Sequence, residues 1–268
     1  IAAFDIIIVV IKIIEIVEDP RSTAKDLQTI IKHDVALSAK ILKVVNSAFY
    51  GLPRQVGSVD RAVVLLGLST VKNIAVATSI TKLFRGAGKA KHFSPKNLWM
   101  HSLACGVFCK LIAESLKTEN GDEIFVAGLM HDLGILVEFQ VYPDELSRAI
   151  ENSNRDGTSL RDAETELFGT DHQTFGTALA MKWKFPHLFQ SATGYHHQPL
   201  KTAPQHRAIA SAVHLADALA NQQDVGFHVE RGNYQPEVLE ILEIREEDLG
   251  TIIDAFGDKF AAANAVMQ

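Results

Sequence analysis

Between Asn97 and Ala220 the apolar residues recur three and four apart, and histidines and aspartates are set into that pattern at spaced points. In chain order they are His101, His131-Asp132, His172, His196-His197 and Asp217. Apolar spacing of this kind writes helices, and few segments alternate as a half-buried strand would. A fold that buries those apolar faces must also place the histidines and aspartates. The economical solution is a helical bundle that gathers them at one point. Imidazole and carboxylate together suit iron, manganese, nickel or zinc, so the set suggests a di-metal centre inside an all-α protein.

Local signals divide the helices. Ile6–Val17 reads as a first helix, ended by Asp19-Pro20, and Ser22-Thr23 can cap a second through Ile31. His33-Asp34 opens a third to about Ser47, and Tyr50-Gly51-Leu52-Pro53 breaks it. Ser58 caps Val59–Leu66, Gly67 ends it, and Ser69 starts the next through Leu83. Gly86-Ala87-Gly88 marks a boundary between an N-terminal helical subdomain (1–90) and a second, metal-binding one (91–268). In the second, helices are expected over Asn97–Leu116, Asp122–Phe139, Pro143 to about Asn152, Ser159–Phe168, Asp171–Trp183, Pro186 to the double histidine, Gln205–Ala220, Glu237–Ile244 and Glu247–Phe260.

The spacing also limits how the ligands combine. Adjacent helical residues diverge by a quarter-turn or more, so His131 and Asp132 are poorly placed to chelate one ion by themselves. They serve two ions if Asp132 bridges, with His131 on one of them. His101 and Asp217 then complete the first position, and His172, His196 and His197 the second. A water between such ions is acidified toward neutrality. Taken singly, each residue has an ordinary structural explanation, and the combination carries the argument. His33, His92, His187, His206, His214 and His228 have no such combination and read as surface or satisfied core groups. Cys105 and Cys109 share a helical face with His101, where a thiolate could bind zinc, but core packing is the better reading.

Composition narrows the class. The chain has 268 residues, of which 47% are hydrophobic and 22% charged, enough to bury a core without disulfides. Two cysteines imply no disulfide framework, and a reducing cytoplasm is the expected compartment. A net charge of −6 argues against a broad nucleic-acid surface. The apolar run Ile6–Ile11 is cut by Lys12 and Glu15, too short for a bilayer, so no membrane association is expected. Neither a GxSxG elbow nor a P-loop is present.

Several stretches resemble the HDOD domain, a signalling branch of the HD superfamily. They are Val45-Asn46-Ser47-Ala48-Phe49-Tyr50-Gly51, Val59 to Gly67, Leu98-Trp99-Met100-His101-Ser102, Ala127 to Gly134, Glu166 to His172 with Gly176, Trp183 to Pro186, and Tyr195-His196-His197-Gln198-Pro199. The resemblance implies a small helical bundle packed on an HD-like bundle, and a regulatory module with a signalling protein partner. The histidine and aspartate order is also similar to that of HD-GYP cyclic-di-GMP phosphodiesterases. By that likeness His101, His131, Asp132 and Asp217 hold one ion, and Asp132, His172, His196 and His197 the other, with iron or manganese as the metal. Those enzymes carry a lysine three places after the HD aspartate, where this chain has Ile135. Their GYP loop is replaced by Gln198-Pro199-Leu200-Lys201. The expected function is therefore a metal-binding output module without strong catalysis. The alternative is a di-metal phosphohydrolase acting on a nucleotide or phosphodiester, and a di-iron oxygenase is a remote third.

Overall fold

In the computed structural model, residues 34–85, 90–227 and 232–267 are described continuously, with 12–13, 15, 21–23, 25–27 and 31 ahead of them. They contain fourteen α-helices and no strand. The two most N-terminal helices expected from the sequence, the Gly86-Ala87-Gly88 boundary, His33 and His228 fall largely or wholly outside the described residues.

Two compact units emerge, residues 1–83 with 255–268, and residues 84–254. The sequence reading runs the second subdomain to residue 268. The chain instead returns its last helix to the first unit, because that helix packs on the first unit's helix Val35–Val45.

The first unit holds α1 (Val35–Val45), α2 (Val59–Leu66), α3 (Leu68–Ile80) and α14 (Phe256–Met267). Asp34 caps α1 by accepting from Leu37 N at 2.9 Å, and Ser58 caps α2 by accepting from Arg61 N at 3.2 Å. The loop between them is fixed by Asn46. Its amide oxygen accepts from Val56 N at 2.6 Å and its Nδ2 donates to Val56 O at 2.9 Å. Val56 is buried, so its backbone needs those partners.

The second unit contains α4 (Pro95–Ser115), α5 (Gly121–Met130), α6 (Leu133–Val141), α7 (Pro143–Asp156), α8 (Leu160–Phe168), α9 (His172–Lys182), α10 (His187–Tyr195), α11 (Arg207–Gln222), α12 (Glu237–Leu242) and α13 (Leu249–Asp254). The sequence reading expects one helix over Asp122–Phe139. The structure breaks it at His131-Asp132, where Asp132 leaves helical geometry at φ −97° and ψ 18°. The stretch Gly121–Val141 is long and apolar enough to cross a membrane, but its most apolar window is 83% buried inside the protein, as in a core helix pair. The expected Glu247–Phe260 helix is likewise divided, into α13 and α14.

Two close backbone approaches set the core. A Cβ at Gly128 of α5 would lie 2.8 Å from Cys109 Sγ and 2.9 Å from Gly106 Cα, so α5 crosses α4 almost in backbone contact. At Gly134 of α6 a Cβ would stand 1.8 Å from the carbonyl oxygen of His172. Glycine at these two points lets α4, α5, α6 and α9 converge. Cys105 and Cys109 are free and wholly buried in this packing. Burial raises the Cys105 thiol well above its ordinary value, with Cys109 and then Asp217 and Asp132 adding to it. It therefore stays a neutral core group.

Candidate metal centre

The break at His131-Asp132 makes the site. In a continuous helix those side chains would diverge. In the turn between α5 and α6, His131 Nε2 comes 3.2 Å from Asp132 Oδ2. Other helices close around that pair. His101 from α4 brings Nε2 to 3.7 Å from Asp132 Oδ2 and 3.1 Å from Asp217 Oδ1, which α11 supplies. His131 Nε2 is 3.8 Å from the same Asp217 oxygen.

A second group faces the other oxygen of Asp132. His196 Nε2 is 3.4 Å from Oδ1, and His172 Nε2, from the first turn of α9, is 3.7 Å from it. His172 Nε2 also faces His196 Nε2 at 3.4 Å and His197 Nε2 at 3.0 Å. His197 turns its other nitrogen toward Asp217 Oδ2, 3.9 Å away. All seven residues singled out in the sequence thus meet. Six of them form two groups, His101–His131–Asp132 and His172–His196–His197, and within each group the donor atoms lie within 4.8 Å of one another.

Hydrogen bonds on the outer side of the rings aim the inner nitrogens. His131 Nδ1 faces Gly128 O at 2.7 Å and His196 Nδ1 faces Thr193 O at 2.9 Å. A carbonyl only accepts, so each Nδ1 carries the proton and each Nε2 presents a lone pair to the centre. His172 Nδ1 meets Glu164 Oε2 of α8 at 2.7 Å, and the same oxygen accepts from His172 N at 3.0 Å.

Donor chemistry supplies a test of fit. His131 Nε2 and both carboxylate oxygens of Asp132 are buried without a well-formed hydrogen bond, as are both ring nitrogens of His101. His172 and His196, whose Nδ1 atoms donate outward, turn lone pairs toward one another at 3.4 Å, and these repel unless a cation lies between them. Two ligands about 2.1 Å from one ion, at tetrahedral to octahedral angles, stand about 3.0–3.4 Å apart. The residues fit a metal pair.

Without an ion, protons take the cation's place. Burial by itself would depress His131, but the Asp132 carboxylate outweighs it and lifts the ring to about 9. His172 follows the same pattern, lifted by Glu164 to about 10. Burial opposes ionisation of Asp132 also, and His131 with its neighbours overrides it, holding the carboxyl well below its ordinary range. His196 and His197 are depressed, mainly by burial.

The supporting residues were not found from sequence. Gln173 Oε1 accepts from His197 N at 2.9 Å, and Asn221 Nδ2 donates to Asp217 Oδ1 at 2.8 Å. Glu138 of α6 is wholly buried beside Glu164. Burial, then that carboxylate, push it up to about 9, so it is protonated near neutrality. His214 is a satisfied core group, as expected, with Nδ1 donating to His196 O at 2.6 Å and Nε2 accepting from Gln235 N at 3.0 Å. His92 and His187 are exposed. Asn221 follows Asp217 by one helical turn, a signal the sequence did carry.

Comparison with known proteins bears on this geometry. The sequence pattern of the HDOD domain matches residues 6–199. The chain belongs to the HDOD family. Among solved structures, this HDOD chain is similar to an HDOD domain protein of unknown function from Geobacter sulfurreducens, with 26% identity, a TM-score of 0.77 and coverage of 96% of this chain and 91% of that one. It shares its fold with a candidate phosphohydrolase from Shewanella amazonensis SB2B at 24% identity and TM-score 0.75, covering 97% of this chain and 93% of the other. An uncharacterized protein of Treponema pallidum (strain Nichols) is 26% identical over 214 residues, which is 77% of this chain and 40% of that relative's length. The match spans well under half of that curated relative. Asp217 lies beyond the stretch matched by the HDOD pattern, yet the HDOD fold brings it to the same cluster.

Proposed function

We propose that this HDOD domain binds two metal ions, iron or manganese, and acts as a cytoplasmic regulatory module that engages a signalling protein. Asp132 carries the reading, because its two oxygens face two different histidine groups, as a bridging carboxylate must. His101, His131, Asp132 and Asp217 would hold one ion, and Asp132, His172, His196 and His197 the other. Histidine and carboxylate donors of this kind suit iron and manganese.

Two observations favour regulation over turnover. Ile135, at the place where a lysine would serve as a phosphate clamp, is fully buried and apolar. Val64 and Leu65 of α2 are exposed at 83% and 51%, apolar surface of the kind a protein partner covers.

A second reading, a di-metal phosphohydrolase of nucleotides or phosphodiesters, draws on the completeness of the donor set. Bound ions would supply a water acidic enough to be hydroxide near neutral pH. The protein's share would be to orient that centre through Glu164 and Gln173 and to keep it nearly dry.

The deciding experiment is elemental analysis of protein prepared without chelator, followed by incubation of the loaded protein with cyclic di-GMP and linear dinucleotides. Two ions per chain and no hydrolysis are expected. Turnover would favour the second reading, and folded protein without metal would defeat both. In Asp132→Ala the metal content should fall below one ion per chain, and unchanged stoichiometry would defeat the bridging role.

A further inference from the structure

The double histidine sits where α10 has run out. Tyr195 is the last helical residue, so the final carbonyls of α10 and those of His196 and His197 have no helical amide ahead of them. A helix end of this kind frays unless other groups bind it. Two of the metal-facing rings ride on that end.

Each carbonyl from Gly194 to His197 has a partner. Gln173 Nε2 donates to Gly194 O and Gln198 N to Tyr195 O, both at 2.9 Å. His196 O accepts from His214 Nδ1 at 2.6 Å, and His197 O accepts from Gln235 Nε2 at 3.2 Å. Gln173 also holds the His197 N–H through its Oε1.

Gln235 enters this set twice. Its side chain reaches His197 O directly, and its backbone N–H donates to His214 Nε2 at 3.0 Å. A His214 ring that accepts at Nε2 carries its proton on Nδ1, the proton it gives to His196 O. One residue thus bears on the peptide groups of both ligands. Gln173 and His214 belong to α9 and α11, whereas Gln235 lies in the chain between α11 and α12. Its neighbours Asn233, Pro236 and Glu237 are exposed.

We propose that Gln235 is a positioning residue of the metal centre. It holds His196 and His197 from outside the helices and couples the ion they bind to the exposed chain before α12. The inference rests on the metal-pair reading above. Gln235 acts only through the double histidine. Such coupling is reciprocal. An ion on those rings tightens the hold on Gln235, and a loosened Gln235 weakens that ion.

A merely structural role would make Gln235 a pin for the chain between α11 and α12. Gln222 is a pin of that sort, because its Nε2 donates to Gly232 O at 2.7 Å and not to any of the seven cluster residues. Gln235→Met keeps the length of the side chain and the backbone N–H but loses the side-chain donor. Gln222→Ala is the control. The probe is manganese(II), titrated calorimetrically into the whole chain, with anaerobic ferrous iron in a parallel series. Denaturant unfolding is measured on the same samples.

In Gln235→Met one of two equivalents should bind about tenfold more weakly, with the other equivalent and the unfolding midpoint unchanged. Gln222→Ala should leave both equivalents as they are. Hydrogen exchange in the parent reads the coupling from the other side, and the peptide containing Gln235 should exchange more slowly with metal than without. That measurement needs no variant, so it stands even if Gln235→Met folds poorly. Two unchanged equivalents in Gln235→Met would overturn the proposal. So would equal losses in Gln235→Met and Gln222→Ala, or exchange at Gln235 indifferent to metal. In a parent chain that binds two ions, any of these outcomes overturns this inference alone. A folded parent chain that binds neither metal overturns the metal pair and this inference with it.

Discussion

Asp132 and Glu164 divide the labour at the residue scale. Asp132 faces the centre and Glu164 stands behind it, accepting from both the ring and the backbone nitrogen of His172. Removing its charge leaves the hydrogen bonds but weakens the basicity of the ring they orient. Glu164→Gln should therefore lower affinity for one ion by about tenfold or more, the scale of such supporting bonds. A metal titration that resolves two equivalents checks this, and two unchanged equivalents would refute it. The seven facing residues were legible in the sequence because histidine and aspartate set into apolar helical patterns are conspicuous. Glu164 and Gln173 were not. They act on residues eight and twenty-four places away, and nothing in a lone glutamate or glutamine announces such a partner.

Helix limits were legible wherever a cap marks them. Val59–Leu66 was read to the residue because Ser58 and Gly67 flank it. The division of Gly121–Val141 was not, since the stretch contains no proline and its glycines, Gly121, Gly128 and Gly134, sit at or inside helices. Tertiary packing breaks it, by drawing Asp132 between two histidine groups. Gly134, two residues later, holds α6 against the first turn of α9. In Gly134→Ala a methyl would fall 1.8 Å from His172 O and 2.8 Å from Gly176 N, both backbone atoms that cannot rotate away. The expected cost is about 3 kcal/mol in denaturant unfolding, with loss of the ion held by His172. Gly250→Ala, where a Cβ meets nothing within 4 Å, is the control. Equal stability of the two variants would show that the α6–α9 approach is adjustable.

Across the whole molecule the cluster draws residues from α4, the α5–α6 turn, α9, the end of α10 and α11, so its protonation bears on the stability of the second unit. His131 and His172 have native values of about 9 and about 10, above the ordinary 6.5. Their contribution to the metal-free protein is therefore complete below about pH 6.5 and is lost as pH rises through 9 and 10. Metal needs the same rings deprotonated, so its affinity should rise over that window and its uptake near neutral pH should release protons. Calorimetry in buffers of different ionisation heat measures the release. Uptake without proton exchange at pH 7 would contradict the assignment of these rings as ligands. Residues 255–268 group with the first unit, which the sequence does not announce, because an apolar helical face does not name the helix it will pack against.

The two oxygens of Asp132 belong to one rigid group, and this gives the centre a memory between its halves. Oδ2 faces His101 and His131, and Oδ1 faces His172 and His196. If that group held two ions, the first to arrive would influence which element suits the remaining position, so two different metals offered together should not distribute at random.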